Sequence, residues 1–113
     1  MMDVGFRNAQ LRKLCSDPSL MRRRFGANGS AKLQRRLAEL AAATCIADLF
    51  LLRQARCHQL KAGRDEMFSV DIDGGLRMIF EVADEPTPRT KDGGVDVDQV
   101  KRVAVVEITD PHR

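Results

Sequence analysis

Apolar side chains recur along this chain with two different periods, and the change falls near residue 60. Before it, Leu33, Leu37, Leu40, Ala41 and Thr44 repeat at three- and four-residue spacing, with Lys32, Gln34, Arg35, Arg36 and Glu39 opposite. That spacing predicts an amphipathic helix. Ser30 suits its N-cap, because a hydroxyl accepts from an orphan amide of the first turn. An earlier helical region is predicted from Asn8 to about Phe25, carrying Leu11, Leu14 and Leu20. Asp17-Pro18 restarts it, since proline suits a first turn and not a helix interior. Gly26-Ala27-Asn28-Gly29 is the expected stop. The dense apolar run from Cys45 to Leu52 predicts a short buried helix.

After residue 64 the period becomes two. Met67, Ser69, Asp71 and Asp73 alternate with Phe68, Val70 and Ile72. Asp73-Gly74-Gly75 reads as a hairpin turn, and Leu76 to Ala83 as the return strand. Arg56-Cys57-His58-Gln59-Leu60-Lys61 reads as a short strand entering the sheet. Residues 84–99, with Pro86, Pro88, Gly93, Gly94 and the acids Asp84, Glu85, Asp92, Asp96 and Asp98, predict a long wet loop. Lys101 to Thr109 supplies the last strand. Helices followed by a run of strands predict one α+β domain over 1–113, with N-terminal helices packed on a C-terminal antiparallel sheet.

Composition narrows the function classes. The chain has 113 residues, enough to bury a core without covalent staples. No apolar run approaches a membrane span, and the first residues form no apolar targeting segment, so a cytoplasmic protein away from membranes is expected. Cys15, Cys45 and Cys57 have no metal-ligand spacing, and neither metal nor cofactor is expected. Net charge is only +3, but it is unevenly distributed. Residues 1–65 hold 13 Lys+Arg against 5 Asp+Glu, while residues 66–113 hold 6 against 11. A basic face for an anionic partner follows: Arg22, Arg23, Arg24, Lys32, Arg35, Arg36 and Lys61 are the candidate contacts to phosphates or a ribosome. With no Trp, no Tyr and five Phe, broad stacking of bases on aromatic platforms is not expected.

The candidate chemistry lies elsewhere. The apolar run from Val103 to Ile108 leads directly into Asp110 and His112. The other histidine is His58, and Arg77 opens the otherwise apolar Arg77-Met78-Ile79-Phe80. A lone histidine is usually structural, and a strand arginine usually pairs with a carboxylate. Together, two histidines, an arginine and an aspartate form a set able to cut RNA without metal. The imidazoles move protons near neutral pH, and a guanidinium steadies a phosphate.

The chain resembles the HigB branch of the RelE/ParE toxin superfamily, the toxins of type II toxin–antitoxin modules. The resemblance runs through Phe6-Arg7-Asn8, Leu11-Arg12-Lys13-Leu14-Cys15 and Lys32-Leu33-Gln34-Arg35-Arg36-Leu37-Ala38-Glu39-Leu40. It continues through Arg56-Cys57-His58-Gln59-Leu60-Lys61, Phe68-Ser69-Val70 and Arg77-Met78-Ile79-Phe80. It ends at Val106-Glu107-Ile108-Thr109-Asp110-Pro111-His112.

The resemblance implies an α+β fold and ribosome-dependent cleavage of messenger RNA. It also implies neutralisation by a cognate helix-turn-helix antitoxin. Carried over by position, His58, Asp110 and His112 match the family's catalytic set, and Arg77 its arginine near the scissile phosphate. Pro111 stands where the family pattern has tyrosine, and Ala62 interrupts its Leu-Lys-Gly. Some relatives bind gyrase instead. The alternative expectation is therefore a non-catalytic protein of this fold that binds an antitoxin or gyrase.

Overall fold

Phe68 and Phe80, on neighbouring strands, stack with ring centroids 5.7 Å apart, and Phe50 meets Phe68 edge-on at 6.4 Å. Both strand rings are fully buried. Burying each contributes about 1.5–3 kcal/mol, and the core grows around them.

The computed structural model describes residues 1–61, 63–64 and 66–110. Strand β1 (Asp3–Phe6) is followed by helices α1 (Ala9–Ser16), α2 (Pro18–Ala42) and α3 (Ile46–Leu49). Strands β2 (His58–Gln59), β3 (Met67–Asp73), β4 (Leu76–Val82) and β5 (Arg102–Thr109) complete the fold. The strands form one five-stranded sheet in the order β1-β5-β4-β3-β2. The architecture is α+β, with helices packed against a mixed sheet. β2 to β5 pair antiparallel, as the alternation predicts, but β1 pairs parallel to β5. The purely antiparallel expectation is thereby corrected. β1 is only four residues long, too short for an alternating signal, and β5 holds it in place.

Local chemistry sets the helix ends. Asn8 caps α1 through a bond accepted from the Leu11 amide at 2.9 Å. Asp17 caps α2, accepting from Ser19 N at 3.0 Å and Leu20 N at 3.3 Å, with Pro18 in the first turn. The expected stop reduces to one residue. Gly26, at φ 78° and ψ 176°, kinks α2, and the helix resumes at once. That backbone region is essentially restricted to glycine. Ser30 therefore lies inside the helix, where it is buried and accepts from the Gln34 side chain instead of serving as an N-cap. The kink precedes the expected cap, so no orphan amide is left for its hydroxyl.

Met21, Leu33 and Leu40 of α2 pack with Phe68, Met78, Phe80 and Val105 from one face of the sheet. The predicted buried helix is present as α3, whose Ile46 and Leu49 are buried. The acidic segment after β4 is not loose. It is pinned by an Arg89–Val95 bridge, by Ala47 N donating to Val97 O, and by Arg89 on Glu66 at 2.7 and 3.0 Å. Val100, at its end, is fully buried. The apolar residues spaced between its acids give it a packing face.

The register between β4 and β5 carries one irregularity. Ile79 faces Glu107 and Phe80 faces Val105, so Val106 is an extra residue on β5. This bulge reverses side-chain parity along the strand. Val103 and Val105 face the helices, yet Glu107 shares the opposite face with Ile79.

Candidate functional site

Arg77, Ile79 and Glu81 alternate with Met78 and Phe80 along β4, so they occupy the sheet face away from the helices. On that face, Leu60, Lys61, Arg64, Arg77, Ile79, Glu107 and Thr109 line one cleft of about 340 Å³. Ile79 is buried at its floor and Arg77 is half-buried. Thr109 of β5 and Asp71 of β3 are the cross-strand neighbours of Arg77.

The charges in this cleft are unbalanced. Arg64 donates to Glu107 Oε1 at 2.7 Å. This pair is nearly half exposed, the kind of contact that contributes about 0–1 kcal/mol. Arg77 and Lys61 have no carboxylate within ion-pairing distance among the described residues. Among the described residues the cleft is lined by three cations and one carboxylate, a balance that suits an anion. Guanidinium groups favour phosphate, which they bind through paired N–H donors.

His58 shares this face. It stands opposite Ser69, which stands opposite Ile79, so the three form one cross-strand row. β3 lies between His58 and β4, a backbone separation of about 10 Å at the usual strand spacing. Unlike Arg77, His58 is exposed on a two-residue edge strand. Its Nδ1 donates to Arg56 O at 3.0 Å, because a carbonyl only accepts. The neutral ring then has its lone pair on Nε2, suited to taking a proton. Asp110 follows Thr109 at the end of β5 and is half-buried. His112 lies outside the described residues. The structure thus brings Lys61 and Arg77 together in the cleft, with His58 on the same face and Asp110 at the strand's end.

The remaining basic candidates lie on α2, outside the cleft, although Arg24 lines a neighbouring pocket with Asn8, Leu11 and Glu107. Arg22 and Arg23 are exposed, and Arg24 stacks over Phe25 at 5.5 Å. Arg35 is exposed, whereas Lys32 pairs with Asp73 at 2.8 Å. Arg36 corrects the expectation of a continuous basic face. Only 6% exposed, it donates to Asp71 O, Glu39 Oε1 and Gln54 O, so it braces the fold.

Three cleft residues escaped sequence reasoning. Arg64 lies between strands and carried no periodic signal. Thr109 was legible only as the end of a strand. Strict alternation assigns Glu107 to the buried face with Val103 and Val105, and only the bulge brings it to the cleft.

Burial raises the Cys57 thiol to about 12 and the Cys15 thiol to about 11, which removes both as ready nucleophiles. No group of His, Cys, Asp or Glu among the described residues is arranged to hold a metal ion. No helix among the described residues is long and apolar enough to cross a membrane. The fold and cleft define an α+β domain with a cationic seat on its open sheet face. Compared with protein-family models, curated proteins and solved structures, the chain matches none.

Proposed function

We propose that this protein is a HigB-like toxin of the RelE/ParE superfamily, a ribosome-dependent endonuclease that cuts messenger RNA without a metal. One observation carries the reading: Arg77 and Lys61, without carboxylate partners among the described residues, line one cleft on the open sheet face. The motif order from Phe6 to His112 and the α+β architecture are compatible with it. A cognate helix-turn-helix antitoxin and the ribosome are the partners this function requires.

The chemistry uses the nucleophile that RNA carries and DNA lacks. A base, His58 Nε2 or His112, takes the 2′-OH proton, and O2′ attacks the adjacent phosphorus. Arg77 and Lys61 stabilise the charge that builds on the phosphorane oxygens. The P–O5′ bond breaks, and the second histidine protonates the leaving oxygen. A 2′,3′-cyclic phosphate and a 5′-OH result. Asp110 orients a histidine, as a carboxylate orients an imidazole base. The ribosome holds the RNA in line, which lowers the entropic barrier.

The intervening β3 strand favours a second reading, a protein of this fold that binds an antitoxin or gyrase without cutting RNA. Inducing the protein in cells and mapping mRNA 5′ ends separates the two. Breaks inside translated codons are expected, reduced at least about 100-fold by Arg77→Ala, the scale of losing an oxyanion donor. Growth arrest with intact mRNA, retained in His58→Ala and Arg77→Ala, supports the binding protein instead.

A further inference from the structure

Arg64 and Glu107 belong to the cleft but have no part in the reaction above. Their contact joins a residue of the segment after β2 to the bulged region of β5, directly beside Ile79. Among the described residues Glu107 is the one carboxylate lining the cleft, and it occupies one cation of a site whose other two have no carboxylate partner there. Both partners are well exposed, with 43% and 42% of their side-chain surfaces accessible. An ion pair so hydrated is held weakly and exchanges readily with another anion.

We propose that Glu107 is a built-in stand-in for substrate phosphate: it holds Arg64 in the free protein and yields it to a phosphodiester seated on Arg77 and Lys61. This deepens the nuclease reading and rests on the cleft being its phosphate site. Arg64 then becomes the third cation on the substrate. A phosphodiester gains a paired N–H contact that a neutral ligand cannot compete for. Glu107 also lowers the cleft's attraction for stray anions, since each must first displace it. The bulge at Val106 is the physical device, because without it Glu107 would point toward the helices.

The test uses the full chain and a single-stranded DNA hexanucleotide, which carries phosphodiesters but no 2′-OH, so binding is read without cleavage. Side-chain Nε–H resonances of the arginines are followed by NMR at low salt, and affinity by fluorescence anisotropy. Signals of both Arg64 and Arg77 should shift together on titration. Glu107→Gln should bind up to about fivefold tighter, the scale of one surface pair, and the gain should fade as salt rises. Amide spectra of the variant establish that its fold is intact. If Arg77 responds and Arg64 does not, or if Glu107→Gln binds no tighter, the exchange is refuted while the phosphate site stands. If neither arginine responds and Arg77→Ala leaves affinity unchanged, both the exchange and the phosphate site are refuted.

Discussion

Arg36 of α2 donates its Nε–H to the main-chain oxygen of Asp71 on β3 at 2.7 Å, a bond that ties the long helix to the sheet. Its other nitrogens hold Glu39 at 2.9 Å and Gln54 O at 3.1 Å. Removing the guanidinium strands two carbonyls and opens a cavity. Arg36→Ala should cost about 2–4 kcal/mol of unfolding free energy in urea titration. Arg35→Ala, one residue away and exposed, should stay within about 0.5 kcal/mol. Equal effects at the two positions would contradict the assignment of Arg36 as a brace.

Ser69 has the opposite character. Its hydroxyl is fully buried in the row between His58 and Ile79, and Oγ has no hydrogen-bond partner among the described residues. An unsatisfied buried polar atom destabilises. Ser69→Ala is therefore expected to stabilise by about 1 kcal/mol, raising the thermal midpoint by a few degrees. A lower midpoint would mean that the hydroxyl makes a contact that this geometry lacks.

Acid should weaken two tethers together. Hydrogen bonds from the Thr44 side chain and amide hold Asp48 below its ordinary 3.8. The Arg89 side-chain bond, reinforced by its charge, holds Glu66 below 4.5. Each folded-state value is depressed, so each contribution is complete above the ordinary value. It is lost as pH falls through the folded value, below 4.5 for Glu66 and below 3.8 for Asp48. Thermal melts of the parent and Glu66→Gln from pH 7 to pH 2 read this directly. The parent's advantage should be constant near neutrality and vanish in strong acid. An advantage unchanged across the range would remove the Glu66–Arg89 pair from the acid response.

Periodicity alone determined much of this protein. The spacing of Leu33, Leu37 and Leu40 is a helix in any context, because it follows from the helical repeat. Asp17-Pro18 is a helix start, because a carboxylate and a proline satisfy the first turn locally. The alternation from Met67 to Asp73 with Gly74-Gly75 is a hairpin for the same kind of reason. What the tertiary structure decided lay in contacts between distant segments. Val4 and Phe6 make a strand only because β5 offers its edge, which turns an antiparallel sheet into a mixed one. Arg35 and Arg36 are neighbours of equal charge, yet only Arg36 meets Asp71 and Gln54. At Glu107 the two levels conflict: strict alternation places it in the core, and one extra residue in the register, Val106, turns it into the cleft. A strand pattern records parity along its own chain, whereas a bulge exists only between two strands.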